Sequence, residues 1–225
     1  MFFNPLTFLF MLLFFVFILF FFFMVQFNVI TLAFTKIGIP PHYIFLALIA
    51  TLVGSFINIP VRKLPQKSIT SERTVSFFGF KYVVPGSESN ATIVCVNVGG
   101  AMIPALISLY LLWKTGLYLQ GLAGIVFMTL VCYRLAKPIQ GVGIALPFFV
   151  PPALATLFSV VVAYHNAPVI AYVSGTLGTL IGADLLNLKK ITNLGAPVVS
   201  IGGAGTFDGI FLTGIVAVLL SALLT

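Results

Sequence analysis

Long uninterrupted apolar runs, separated by short polar or proline- and glycine-marked breaks, dominate this 225-residue chain. The runs are about 20 residues long, the length a helix needs to cross the hydrocarbon core, and they lack the short alternating pattern of a membrane barrel. Seven spans follow, at roughly 5–30, 41–60, 91–113, 117–135, 147–164, 168–188 and 203–224. The breaks fall at Lys36 to Pro41, the polar stretch 61–90, Lys114-Thr115-Gly116, Ala136-Lys137-Pro138, His165-Asn166 and Lys189-Lys190. The expected fold class is all-α: a polytopic transmembrane helix bundle, a single membrane domain over 1–225. The phenylalanine-heavy start has no basic leader and no small-residue cleavage site, so it reads as a retained first span.

The one sizeable polar stretch, 61–90, carries a β-forming run from Thr74 to Val84 with Gly79 able to turn it. Two readings stand for it: a short hairpin, or an amphipathic loop resting on the headgroups. As a strand edge it would suit a substrate that has been unwound.

Composition agrees with the periodicity: 60% hydrophobic, 7% charged, mean hydropathy +1.20. A soluble fold needs more polar surface than that. The net charge of +7 gathers in short loops, where a topogenic role accounts for it without nucleic acid. An N-terminus in the cytoplasm puts Arg62, Lys63, Lys67, Arg73, Lys81, Arg134, Lys137, Lys189 and Lys190 inside, and only Lys36 and Lys114 outside. That bias selects the orientation and places the C-terminus outside. Cys95 and Cys132 fall in separate apolar spans and read as buried thiols, with neither a disulfide framework nor a metal site. No cofactor is expected.

The charges that change the picture are acidic. Of four acidic residues, Glu72 and Glu88 lie in the polar stretch, while Asp184 and Asp208 lie in glycine-rich apolar sequence. A carboxylate inside a bilayer is costly, so each is a candidate functional residue. Counted along helices, both lie about 7–8 Å in from one face of the membrane. Gly175, Gly178 and Gly182 precede Asp184, and Gly202, Gly203, Gly205 and Gly209 surround Asp208, stripping bulk so that helices can approach. Two carboxyls held together in low dielectric cannot both ionise cheaply, so the pair shares one proton. One can then activate water while the other protonates a carbonyl.

These residues resemble the GxGD-type intramembrane aspartyl proteases, the class of presenilin and signal peptide peptidase. Gly205-Thr206-Phe207-Asp208 is similar to the second aspartate motif, with Phe207 in place of its second glycine, and Gly182-Ala183-Asp184 stands where the first aspartate would be. Pro152-Ala153-Leu154 matches the Pro-Ala-Leu element, although it precedes the aspartates where the family's follows them; Pro104-Ala105-Leu106 is a second copy. The resemblance implies a catalytic pair of Asp184 and Asp208, with Gly182, Gly205, Phe207, Gly209, Pro152, Ala153 and Leu154 shaping the site. It implies a membrane-embedded peptide or single-span protein as substrate. The chain after about residue 40 is also similar to a prokaryotic membrane family known only as a domain of unknown function, which implies the prokaryotic cell membrane and no particular activity. That likeness lies in Asn97 to Pro104, Gly178 to Leu186 and Ser200 to Gly214.

A reading from a different class is a transporter or channel in which the same aspartates bind a cation or carry protons. Val96 to Ala101 also echoes Val199 to Ala204, a weak sign of duplication, and Asn97 is placed to line the polar cavity or to bond a neighbouring helix. The proline- and glycine-rich stretch from Pro138 to Pro152 could border an access route.

Overall fold

The computed structural model describes residues 13–20, 35, 37–65, 73–77, 80–84, 91–139, 143–191, 198–203 and 209–225. Residues 13–20 are helical. The labelled elements are helices α1 (Pro41–Gly54), α2 (Ile103–Thr115), α3 (Tyr118–Leu135), α4 (Val150–Val162), α5 (Ala167–Thr179), α6 (Leu188–Ile191) and α7 (Gly209–Leu224). Strands are β1 (Asn58–Pro65), β2 (Arg73–Phe77), β3 (Phe80–Val84), β4 (Ala91–Asn97), β5 (Lys137–Ile139), β6 (Gly143–Ala145) and β7 (Val198–Ile201). A π-helical turn, Val98–Met102, leads into α2, and a second, Leu180–Leu185, continues α5.

The protein is mostly helical, as expected, and the all-α expectation is corrected only in that strands are also present. The stretch 91–113 is not one helix: its first seven residues, Ala-Thr-Ile-Val-Cys-Val-Asn, form β4. Their β-branched side chains suit a pleated surface, and a short apolar run does not by its periodicity tell strand from helix. Likewise 41–60 ends its helix at Gly54 and enters β1. Among the described residues, three continuous helical stretches are long and apolar enough to cross a membrane: Val98–Thr115, Tyr118–Leu135 and Tyr164–Leu185. Val150–Val162 and Thr213–Leu224 are apolar but shorter. Prolines near the starts of α1, α2, α4 and α5 occupy first-turn positions, where the missing N–H costs nothing. Gly116, at φ 68°, ends α2 in the left-handed region.

In the most apolar 18 residues of Tyr164–Leu185, 78% of the residues are buried, against 33% and 22% in the other two. This stretch is apolar on all sides and is therefore the central helix, with α2, α3, α4 and α7 packed around it. Its glycines set the spacing. A Cβ on Gly178 would stand 2.4 Å from Met128 Cβ, and one on Gly182 would stand 2.4 Å from the Thr129 carbonyl oxygen, both on α3. Gly175 faces Thr213 of α7, and Gly214 of α7 faces Thr176 in return.

At one end of this bundle lies a three-stranded sheet in the order β1-β4-β7, with β1 antiparallel and β7 parallel to the central β4. β1 is the exposed edge, and Pro60 and Pro65 blunt it against further pairing. Val94 and Ile201 pack with Ala101, against Leu180 and Leu188 beside them. β2 and β3 pair antiparallel with Phe77 opposite Phe80, as a separate two-stranded sheet. β5 and β6 form a third small sheet where Ala136-Lys137-Pro138 was read as a plain break.

The two echoing segments lie side by side: Val96 is opposite Ile201, and Gly100 meets Gly202 at the crossing beyond the strands. A Cβ on Gly100 would lie 1.7 Å from the Gly202 carbonyl oxygen. Gly100→Ala should therefore displace β7 and lower the thermal midpoint in detergent by the equivalent of about 1–3 kcal/mol or more. Gly121→Ala meets only the flexible Leu112 side chain and should be far milder. Equal midpoints for the two variants would show that the Gly100–Gly202 crossing is not a close contact.

Candidate functional site

Asp184 sits in the π turn that ends the central helix, half-buried. The wider turn is seen in the bond from Leu186 N–H to the Ile181 carbonyl, 3.0 Å and five residues back. Such a turn leaves carbonyls without their usual partners. Asn187, fully buried, covers two of them: its Nδ2 donates to the carbonyls of Gly182 and Ala183, both at 3.0 Å. Asp184 Oδ2 in turn accepts from the Gly202 N–H at 2.9 Å. Gly202 has φ 75°, a conformation natural to glycine, and its carbonyl lies against Gly100. One carboxylate thus ties the end of the central helix to the residue that follows β7.

A polar cluster holds β7 from the other side. Asn97, at the end of β4 and 1% exposed, donates to the Ser55 carbonyl at 2.7 Å and to Asn58 Oδ1 at 3.0 Å. Its Oδ1 accepts from the Gly100 N–H at 2.7 Å, capping the π turn before α2. Ser200 of β7 donates to the same Asn58 oxygen. The Asn97 carboxamide also lies against Gly203, where an added Cβ would come within 2.8 Å of Nδ2. Its partners are therefore a helix end, a strand and a turn, where the sequence suggested a polar cavity or a bond to a neighbouring helix.

Asp208, Gly205 and Phe207 lie outside the described residues. Gly209 is the first residue of α7, which packs along α5 and α4. Gly182 is buried against α3 and shapes the turn that carries Asp184. The two Pro-Ala-Leu copies are placed differently. Pro152 is buried at the start of α4, Ala153 is exposed, and Leu154 packs against the cluster that contains Ala183 and Ala217. The Thr156 hydroxyl joins this end of α4 to α7 by donating to the carbonyls of Pro152 at 2.9 Å and Ala217 at 3.2 Å. Leu106 of the other copy faces outward between α1 and α2.

Sequence reasoning missed Asn58, Asn187 and Ser200. Asn187 carried a signal, as an amide in an apolar run three residues after an aspartate; Asn58 and Ser200 act through a sheet that the hydropathy pattern concealed. No group of three or more potential metal ligands occurs among the described residues.

Asn97→Ala leaves the buried Gly100 N–H without its acceptor and should cost about 1–3 kcal/mol, read as a lower thermal midpoint. A change within about 0.5 kcal/mol, the usual range of surface substitutions, would remove Asn97 from the framework of the site.

No curated protein and no solved structure matches the chain. A family model described as a protein of unknown function (DUF1614) matches residues 52–220, well over half of the chain, and the chain belongs to that family.

Proposed function

We propose that this protein is an intramembrane aspartyl protease of the prokaryotic cell membrane, cleaving membrane-embedded peptide or single-span substrates with Asp184 and Asp208. The observation that carries the reading is the bond between the Asp184 carboxylate and the amide of Gly202, the residue directly after β7. A half-buried carboxylate at the end of an apolar central helix is held beside the end of an edge strand. Gly209 follows Asp208 and opens α7, the helix packed along α5, which favours a second carboxyl nearby. Pro152 and Leu154 lie at the α4 end that packs on both helices. The orientation follows from the loop charges: N-terminus in the cytoplasm, seven spans, C-terminus outside, with the site toward the cytoplasmic face.

In the mechanism, one ionised carboxylate takes a proton from water as the hydroxyl adds to the scissile carbonyl carbon, and the protonated partner gives its proton to the carbonyl oxygen. Collapse of the tetrahedral intermediate moves a proton to the nitrogen and breaks the C–N bond, yielding a carboxyl and an amine terminus. The Gly202 amide fixes the direction of the Asp184 carboxyl throughout. A transmembrane helix hides its amides, so a substrate must be unwound before it can react. β7 pairs with β4 on one side and is the second edge of its sheet, opposite β1, among the described residues. An extended substrate added there, about 4.8 Å from β7, would run past Asp184 and have its freed backbone groups satisfied. β7 thus takes the role that the sequence suggested for the run 74–84.

Cation or proton transport is the second reading. Asn187 Oδ1 and Thr129 Oγ1 are buried without a hydrogen-bond partner among the described residues, and Gly182 joins them by accepting from Asn187 and packing on the Thr129 carbonyl. Unpartnered oxygens on residues that contact the turn carrying Asp184 favour that reading.

Purified protein incubated with single-span substrates should cleave them, and Asp184→Asn or Asp208→Asn should each reduce cleavage by about 10²–10⁴-fold with the fold intact. Activity persisting in either variant ends the two-aspartate reading. Ion flux into proteoliposomes, lost in Asp184→Asn with no cleavage by the wild type, would establish transport instead.

A cysteine at Val198, an exposed position on β7, should form a disulfide with a substrate cysteine close to the scissile bond in an Asp208→Ala background. Cys95 and Cys132 are buried and should not compete. Cross-linking from the β2–β3 hairpin and none from β7 would move the substrate edge away from Asp184.

A further inference from the structure

Away from Asp184, a groove of about 510 Å³ opens between the start of α1 and the outward face of α2. This lies within the roughly 300–1,000 Å³ typical of small-molecule sites. Pro40, Tyr43, Leu106, Ile107 and Tyr110 line it, and Lys114 stands at its head. We propose that it binds an anionic glycerophospholipid, with the phosphate on the Lys114 ammonium and an acyl chain lying along Ile107 and Leu106.

The chemistry of the walls changes along the groove as a phospholipid changes along its length. Lys114 is in the last turn of α2, at the end of the 18-residue apolar stretch Val98–Thr115. Leu106 lies eight residues back, about 12 Å deeper along the helix. At the level of Lys114, Trp113 and Tyr118 are exposed, as befits the aromatic belt at a membrane interface.

Lys114 is also held in place. Its Nζ donates to the Gly38 carbonyl and lies 5.8 Å from the centre of the Tyr110 ring. An ammonium has three donors, so with one on Gly38 two remain for phosphate oxygens. Asp184, the one acidic side chain among the described residues, bonds to Gly202, which packs on Ala101 at the opposite end of the Val98–Thr115 stretch. The Lys114 charge therefore has no carboxylate partner among the described residues. A headgroup with net negative charge complements it, whereas a zwitterionic one brings a second cation with nothing to receive it. The apolar walls offer a free inorganic anion nothing, so the acyl chain is what distinguishes a lipid from phosphate alone.

The test is native mass spectrometry of the purified protein with phosphatidylglycerol and phosphatidylcholine of matched acyl chains. Wild type should retain phosphatidylglycerol about tenfold or more better, because the choline ammonium of the other lipid sits beside its phosphate and offsets the charge that Lys114 attracts. Lys114→Met should lose that preference and Lys114→Arg should keep it. Leu106→Trp, which fills the groove, should weaken retention of both lipids at an unchanged thermal midpoint. If Leu106→Trp proves unstable, the Lys114 pair decides alone, since that side chain is exposed. Equal retention of the two lipids, an unchanged preference in Lys114→Met, displacement by inorganic phosphate, or a dimer of this chain closed over the groove would each overturn the proposal.

Discussion

The close approach of neighbouring helices to α5 is the constraint on which the rest of the structure depends. Small residues let helix backbones approach closely, so these helices hold together through dense packing and hydrogen bonds. Gly175, Gly178 and Gly182 of the central stretch, Gly124 of α3 and Gly214 of α7 remove the side chains that would keep the helices apart. Ser174 and Thr176 fill what space remains, facing Gly124 and Gly214. The stretch can therefore be surrounded by four helices, and the residue at its end, Asp184, is placed where the packed core meets the sheet.

The second constraint concerns backbone polar groups. Two strand-to-helix passages, β4 into α2 and β7 toward α7, cross next to the end of α5, and the Leu180–Leu185 turn is wound as a π-helix there. Irregular backbone buried away from water persists only when its N–H and C=O groups are satisfied within the protein. The sheet supplies most of that satisfaction, and side chains complete it: Asn97 for Gly100 and Ser55, Asn187 for Gly182 and Ala183, Asp184 for Gly202. The Asp184 carboxylate thus has a structural bond of its own. Holding its direction by a backbone amide is also what a catalytic carboxyl requires, so the structural role and the proposed catalytic one reinforce each other.

Sequence alone determined the apolar character of the chain, a helix in each of the spans 91–113, 117–135 and 168–188, and the breaks at Gly116 and His165-Asn166, because run length, proline and glycine act locally. It also singled out Asp184, since a carboxylate in apolar sequence is anomalous wherever the chain folds. What only the tertiary structure decided was long-range. Ala91–Asn97 reads as the start of a span by hydropathy and becomes a strand because β1 and β7, far away in sequence, pair with it. The two Pro-Ala-Leu copies are alike in sequence, and only packing puts Leu154 beside Ala183 while Leu106 faces outward. Asn58 and Ser200 look like ordinary polar residues until the sheet brings them to the site. Hydropathy reports the environment that a segment prefers, whereas the partners of these polar side chains are settled by how turns, strands and helix ends meet, from 18 residues apart for Asp184 and Gly202 to 142 for Ser200 and Asn58.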